Sequence, residues 1–191
     1  TGLTMGEHCE LMAKEFKIAR ERQDKFALAS HQNAAAARSK VAAQLIPVEG
    51  TAKDTLIRDN TSLEALKGLP TAFDRSPAGT ITAGNASPFT DGAAALFCVS
   101  PALESQVPPD AHLTDFEFVG VEPKEGLLMG PGKAMLRVLE RNRLRWEDLD
   151  YIEVHEAFGA QVLCNVDAVN DPKVRAGKYG SSYDAGRLDE A

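Results

Sequence analysis

No stretch of the sequence is long and apolar enough to cross a membrane, and no signal peptide is visible. The chain opens at TGLTMGEH without an initiator Met, which leaves an upstream targeting segment open. Cysteine is scarce and odd in number: Cys9, Cys98 and Cys164 stand far apart, and no C-x-x-C occurs. This spacing fits neither a disulfide framework nor a thiolate metal site, and a reducing compartment is the simplest reading. Positive charge is also in deficit, with 21 Lys and Arg against 28 Asp and Glu and a net charge of −7. Nucleic acid is therefore a poor partner, because neutralising phosphates needs a clustered basic face. An anionic small molecule stays open, since a few local cations suffice. A phosphate-binding loop is missing as well. GPGK (130–133) would need glycine at Leu127 and a hydroxyl at Ala134, so it reads as a proline-marked helix start.

With 191 residues, 43% of them hydrophobic, the chain can hold one large domain or two small ones around a substantial core. Met5, Cys9, Met12 and Phe16 follow helical spacing and predict an amphipathic helix. A second helix is predicted over about 20–39, where good helix formers dominate. Its Ala34–Ala37 run suggests close packing, and Lys14, Lys17, Arg20, Arg22 and Lys25 read as a solvated face. QLIPVEG (44–50) looks like an edge strand broken by Pro47. Residues 51–80 read as loop with one short helix capped by Thr61 or Ser62. AAALFCVS (93–100) suits a buried strand, PALESQVPPDAH (101–112) a connection, and TDFEFVGVEP (114–123) an alternating strand. A helix over 130–144, the strand YIEV and a helix from about Phe158 complete a β–α–β–α order, which points to an α/β layered fold. Beyond Asn170 the sequence turns polar, Gly-containing and helix-poor, with no closing strand.

Two constellations invite chemistry. His155-Glu156 lies at the C-terminal end of a predicted strand, the edge where open α/β sheets place ligands, and Gly159-Ala160 leave room beside it. A satisfied structural histidine remains the equal alternative. TAGNASPFTDGAA concentrates small residues; composition alone makes it an ordinary turn, while function would make it a surface a ligand approaches closely. The cysteines read as structural. Cys98 lies in an apolar strand, Cys164 on an apolar helix, and Cys9 and His8 are adjacent on a helix and point apart.

Taken together, three long stretches resemble the thiolase family. MGEHCELMAKEFKIARERQDKFALASHQNAAAA resembles its M-G-x-x-A-E and S-R-x-E-Q-D-x-F-A-x-x-S segments. TITAGNASPFTDGAAAL resembles its T-V-T-A-G-N-A-S motif, and DYIEVHEAFGAQ its (N/H)-E-A-F-A-A-Q motif. His155, LIRDNTSLEAL and KEGLLMGP resemble the degradative 3-ketoacyl-CoA thiolases of the trifunctional-enzyme β-subunit type. The resemblance runs from the first residues to about Asn170. It implies an incomplete thiolase-like layered α/β/α fold: residues 1–80 as a loop domain covering the CoA site, 81–111 as the end of the N-terminal half with its connection, and 112–191 as the beginning of the C-terminal half. Sheets left incomplete in this way imply aggregation, oligomerisation or sizeable disorder, most of all after Asn170.

The resemblance also implies roles. Arg58 would lie near the adenine nucleotide of CoA, and Ala83 and Ser87 beside the pantetheine arm. Met5, Ala157 and Phe158 would line the arm or the acyl end. His155 would help form an oxyanion hole, where donors stabilise charge developing on a thioester oxygen. CoA and 3-ketoacyl-CoA would be substrates rather than bound cofactors, no metal is implied, and the full-length family forms dimers or tetramers. The expected location is cytoplasmic, or mitochondrial in a eukaryote.

Departures from the family pattern accompany these implications. The family's nucleophilic cysteine, its G-H-P histidine and its C-x-G-x-G cysteine have no counterpart in this sequence, so the chain is expected to be inactive alone. A non-catalytic acyl-CoA-binding or interaction module of thiolase ancestry is the alternative, and a partner chain carrying the remaining motifs is a third reading. Ala19 replaces a capping serine, Ala65 stands where some relatives carry a CoA-contacting serine, and Pro88 follows Ser87 where glycine is common.

Overall fold

Thr4 starts the first helix with a reciprocal cap. Its hydroxyl accepts from the Glu7 amide at 3.3 Å, and the Glu7 carboxylate accepts from the Thr4 amide at 2.6 Å. The computed structural model describes residues 1–51 and 53–190. Helix α1 (Met5–Glu15) buries Cys9, Met12 and Ala13, with Phe16 packed beside them. Met5, in the first turn, stays 53% exposed.

Helix α2 (Arg20–Ala42) begins at Ala19 without a side-chain cap. Its buried positions are Gln23 and Asp24, both polar. The close packing expected at Ala34–Ala37 does not occur, since Ala36 is exposed and its neighbours are only half-buried. Nor are all the early cations a solvated face. Arg22 forms a two-pronged bond with Asp167, both arms at 2.7 Å, and Arg20 reaches Asp24 at 2.7 Å. Planar guanidinium groups suit such inter-element clamps. Helix α3 (Leu63–Lys67) is capped by the Ser62 side chain.

The centre of the molecule is α5 (Gly159–Asn170), buried along nearly its whole length and contacted by α1, α2 and α4 (Gly130–Asn142). An all-round buried helix matches its apolar sequence. Where α4 meets α5, a Cβ on Gly132 would lie 2.4 Å from the Tyr179 hydroxyl and 2.9 Å from Asn165 Oδ1. Asn165 Oδ1 also accepts from the Gly132 amide at 2.8 Å, so a side chain of α5 caps the start of α4. The glycine of GPGK thus serves helix packing.

The strand expectations need correction. Among the described residues pairing is confined to isolated bridges, Val48 with Thr51, Thr71 with Thr82 and Ala86 with Phe158. The first closes a two-residue turn in which Glu49 and Gly50 both have positive φ, 48° and 82°. Segments 93–100, 114–123 and 151–154 form no ladder. Alternation nevertheless persists in 115–121: Phe116 and Phe118 are exposed, while Asp115 and Glu117 turn toward Arg141 and Arg137 of α4. Alternation fixes which face a residue takes, whereas a ladder also needs a neighbouring strand.

The disorder expected after Asn170 is also overturned. A short helix α6 (Pro172–Val174) and a wide turn (Arg175–Tyr179) lead into a docked tail. The Asn170 side chain donates to the Leu188 carbonyl at 2.7 Å and accepts from the Leu188 amide at 2.9 Å. Ala185 is fully buried, and Tyr183 donates to the Leu144 carbonyl at 2.9 Å. These anchors have no periodicity, so the sequence pattern does not display them.

Candidate substrate-binding cleft

Loop 80–87 is built before it can bind anything. Its backbone is clamped from below by side chains of the first two helices. The buried Glu10 carboxylate accepts from the Thr80 amide at 2.7 Å, the Thr80 hydroxyl at 2.8 Å and the Ile81 amide at 3.0 Å. Asn85 Oδ1 accepts from the Thr82 amide at 2.8 Å, and its Nδ2 donates to Asp24 at 2.9 Å. Gln23 donates to the Thr80 hydroxyl at 2.9 Å. Arg20 completes the network, bonding Asp24 and the Leu66 carbonyl together. Gln23 Oε1 alone in this network lacks a partner among the described residues, and the remaining buried bonds fix one loop conformation. Gly84 lets the loop approach α3, where a Cβ would fall 2.5 Å from Leu69 and 2.6 Å from Leu66.

The His155-Glu156 joint is stitched to the same loop. The Ser87 amide donates to the Ala157 carbonyl and the Gly159 amide to the Asn85 carbonyl, both at 2.9 Å. Phe158 is buried between them and meets Phe73 edge-on, with ring centroids 5.9 Å apart. Glu156 accepts from the Ser30 hydroxyl at 2.6 Å.

These elements surround a cleft of about 780 Å³. Arg58, Ala83, Ser87 and His155 all line it, as does Ala65. Four of the seven residues singled out in the sequence are thus brought together, with the small side chains of Ala83 and Ser87 exposed on the wall. Ala157 and Phe158 stand behind the wall and hold it through the contacts just described. Met5 is not among the lining residues and is exposed on α1.

Sequence reasoning missed the supporting residues Glu10, Gln23, Asp24 and Asn85. The signal was present: each is a polar residue inside a long motif, on a helix face or loop that must be buried. It also missed Ser30 and His31, which face the cleft from α2.

The structural reading of two cysteines holds. Cys9 and Cys164 are fully buried in the core. Burial pushes the Cys9 thiol up to about 12, helped by the charge of Glu10, and burial likewise raises that of Cys164. Neither is a ready thiolate. Cys98 is exposed rather than buried as expected, because the segment around it has no ladder partner.

The small-residue loop and the His-Glu joint share one cleft, and both lie in segments that match known family models. The model of the thiolase N-terminal domain matches residues 1–102, and that of the thiolase C-terminal domain matches 107–184. The chain belongs to the thiolase family. It is 37% identical to a 3-ketoacyl-CoA thiolase of Escherichia coli O6:H1 over 201 aligned positions, covering 100% of this chain and 46% of that protein. It is 39% identical to the mitochondrial trifunctional enzyme subunit beta of Bos taurus, covering 89% of this chain and 37% of that one. Among solved structures, acetyl-CoA acetyltransferase from Syntrophomonas wolfei superposes with a TM-score of 0.75 at 31% identity, covering 96% of this chain and 47% of that one. The Bacillus anthracis acetyl-CoA acetyltransferase gives 0.77 at 32%, covering 86% and 44%. The fold is therefore thiolase-like α/β, and the chain spans less than half the length of these relatives. No helix among the described residues is long and apolar enough to cross a membrane.

Proposed function

We propose that this chain forms the CoA-binding and oxyanion-stabilising part of a 3-ketoacyl-CoA thiolase. The observation that carries the reading is the convergence of Arg58, Ala83, Ser87 and His155 on one cleft. The Arg58 guanidinium suits the phosphates of the nucleotide end. Ala83 and Ser87 offer a wall of small side chains along which the pantetheine arm can lie. His155 stands at the far side as a hydrogen-bond donor for the thioester oxygen. Such a donor lowers the barrier by meeting charge that develops only in the transition state.

In thiolysis an enzyme thiolate attacks the 3-keto carbonyl, and the C2–C3 bond breaks. The departing acetyl-CoA enolate takes up a proton, and the acyl group remaining on sulfur passes to a second CoA. The nucleophile is supplied from outside this chain, because Cys9 and Cys164 are core residues and Cys98 does not line the cleft. Residues 1–80 then cover the CoA, 81–111 close the N-terminal half, and 112–191 open the C-terminal half. The wider enzyme assembles as a homo-oligomer.

The alternative is a thiolase-like module that binds acyl-CoA without catalysis, favoured by the burial of Cys9 and Cys164 away from the cleft lining. Calorimetric titration with CoA and a thiolysis assay on the purified chain separate the readings. Both expect CoA binding that weakens in Arg58→Met and no turnover by the chain alone. Turnover restored by adding a cysteine-bearing partner supports the enzyme reading, and binding without restorable turnover supports the module. No binding at millimolar CoA would sink both.

A further inference from the structure

Beneath Arg58 the backbone is held from α2 at two successive residues. His31 Nδ1 accepts from the Arg58 amide at 3.3 Å. One position on, the Asp59 carboxylate accepts from both terminal nitrogens of Arg38, at 2.9 and 2.8 Å. His31 and Arg38 are seven residues apart, two helical turns, and so present to the same side of α2. Among the described residues the Arg58 guanidinium itself has no ion-pair partner, so the loop is anchored while its cation stays available. Ser30, beside His31, holds Glu156 next to His155. Neighbouring positions of one helix therefore register both the loop of Arg58 and the His155 joint on the same cleft.

We propose that His31 and Arg38 are positioning residues, which set Arg58 for a phosphate-bearing nucleotide, an inference that rests on the CoA reading of the cleft. A two-pronged Arg38–Asp59 pair fixes the direction of the loop as well as its distance. Both partners are about half exposed, so the pair adds little to global stability and its effect falls on loop placement. The His31 contact is read by chemistry: the Oδ1 of asparagine can take the place of Nδ1, whereas a glutamine carries its amide one methylene further out.

The test measures binding of CoA, adenosine 3′,5′-bisphosphate and pantetheine to the unaltered chain, His31→Asn, His31→Gln and Arg38→Met. Amide exchange across residues 54–60 is measured without ligand on the same proteins. His31→Gln is expected to speed exchange at Arg58 and weaken CoA and the bisphosphate about 3- to 10-fold, the scale of one hydrogen bond. His31→Asn should stay within about twofold of the unaltered chain, because the acceptor is kept. Arg38→Met should cost about 2- to 5-fold, as for a half-exposed pair. Pantetheine should bind alike to all four. Equal losses in His31→Asn and His31→Gln, or a matching loss for pantetheine, overturn the inference by making the role merely structural. Unchanged exchange in His31→Gln overturns it alone, whatever CoA does. If exchange responds as expected but the unaltered chain binds no CoA, the CoA reading fails and takes the ligand of Arg58 with it.

Discussion

The side-chain amide of Asn85 donates to the carboxylate of Asp24 at 2.9 Å, joining residues 61 positions apart in a site where both are almost fully buried. The bond ties the small-residue loop of the cleft to the second helix. Replacing Asn85 with leucine leaves the Thr82 amide and one Asp24 oxygen without partners. A buried group stripped of its partner costs about 1–3 kcal/mol, more when charged. Urea unfolding of Asn85→Leu should show a stability loss of about 2–3 kcal/mol. Asn85→Asp sets a second carboxylate against Asp24 and should be at least as costly. An unchanged midpoint in both variants would show that the network does not hold the loop.

Gly132 makes a sharper test of helix packing. A methyl group there meets the Tyr179 hydroxyl and Asn165 Oδ1 well inside contact distance. Overpacking of this kind costs about 1–3 kcal/mol. Gly177 supplies the control, because a Cβ there meets nothing within 4 Å. Gly132→Ala should lower the unfolding midpoint clearly, and Gly177→Ala should stay within about 0.5 kcal/mol. Equal effects at the two positions would refute the packing argument.

The contrast between those glycines shows what a sequence displays. The major helices α1, α2, α4 and α5 were legible because each spells out a helical pattern or a start signal in consecutive residues. A cap at Thr61 or Ser62 was legible for the same local reason, and Ser62 supplies it. The cleft was legible only through resemblance: neither the spacing nor the chemistry of Arg58, Ala83, Ser87 and His155 announces that they meet. Met5 was placed with them by motif, yet it is not among the residues lining the cleft. The tail after Asn170 was misread because its order depends on an amide pairing with Leu188, a contact between residues with no shared period. Alternation at Phe116 and Phe118 suggested a strand, but a ladder requires neighbours that alternation does not specify, and both rings are exposed.

Acid should act on surface ion pairs first. Hydrogen bonds from Lys14 and from Arg141 hold the Asp74 and Asp115 carboxyls down to about 2 from an ordinary 3.8. A depressed folded-state value means that the stabilisation is complete above the unfolded value and is lost as pH falls through the folded one. The contribution of these pairs should therefore fade between about pH 4 and pH 2, and more weakly in high salt because both carboxylates are solvent-screened. Thermal unfolding across that window, repeated with Asp115→Asn, provides the check. The variant should be less stable above pH 4 and should lose less on acidification. A parallel curve would show that Asp115 does not report the pair.

Thiol chemistry should divide the three cysteines. Cys9 and Cys164 are sealed in the α1–α5 core, while Cys98 is exposed. A chromogenic disulfide reagent at pH 8 should find one fast equivalent in the native chain and three after denaturation. Cys98→Ser should abolish the fast phase and leave CoA binding as it was. Fast reaction of a second cysteine would mean that the core opens readily, and would reopen the question of a nucleophile within this chain.

The exposed apolar face bears on how the chain behaves in solution. Phe116 and Phe118 meet edge-on with centroids 5.7 Å apart, yet are 65% and 86% exposed. Leu96 and Phe97 are exposed to a similar degree, on segments that also lack ladder partners. An extended segment with free backbone groups and an apolar face is a template for pairing with another chain. Concentration-dependent self-association is therefore expected in sedimentation velocity. Phe118→Lys places a charge at the centre of that face without touching the cleft, and should shift the distribution toward monomer while CoA affinity stays constant. The Arg137 and Arg141 contacts on the opposite face of the same segment keep it docked against α4, so the substitution should not unfold it. A chain that is monomeric at every concentration, with or without the lysine, would show that these aromatic residues are tolerated in water and do not drive association.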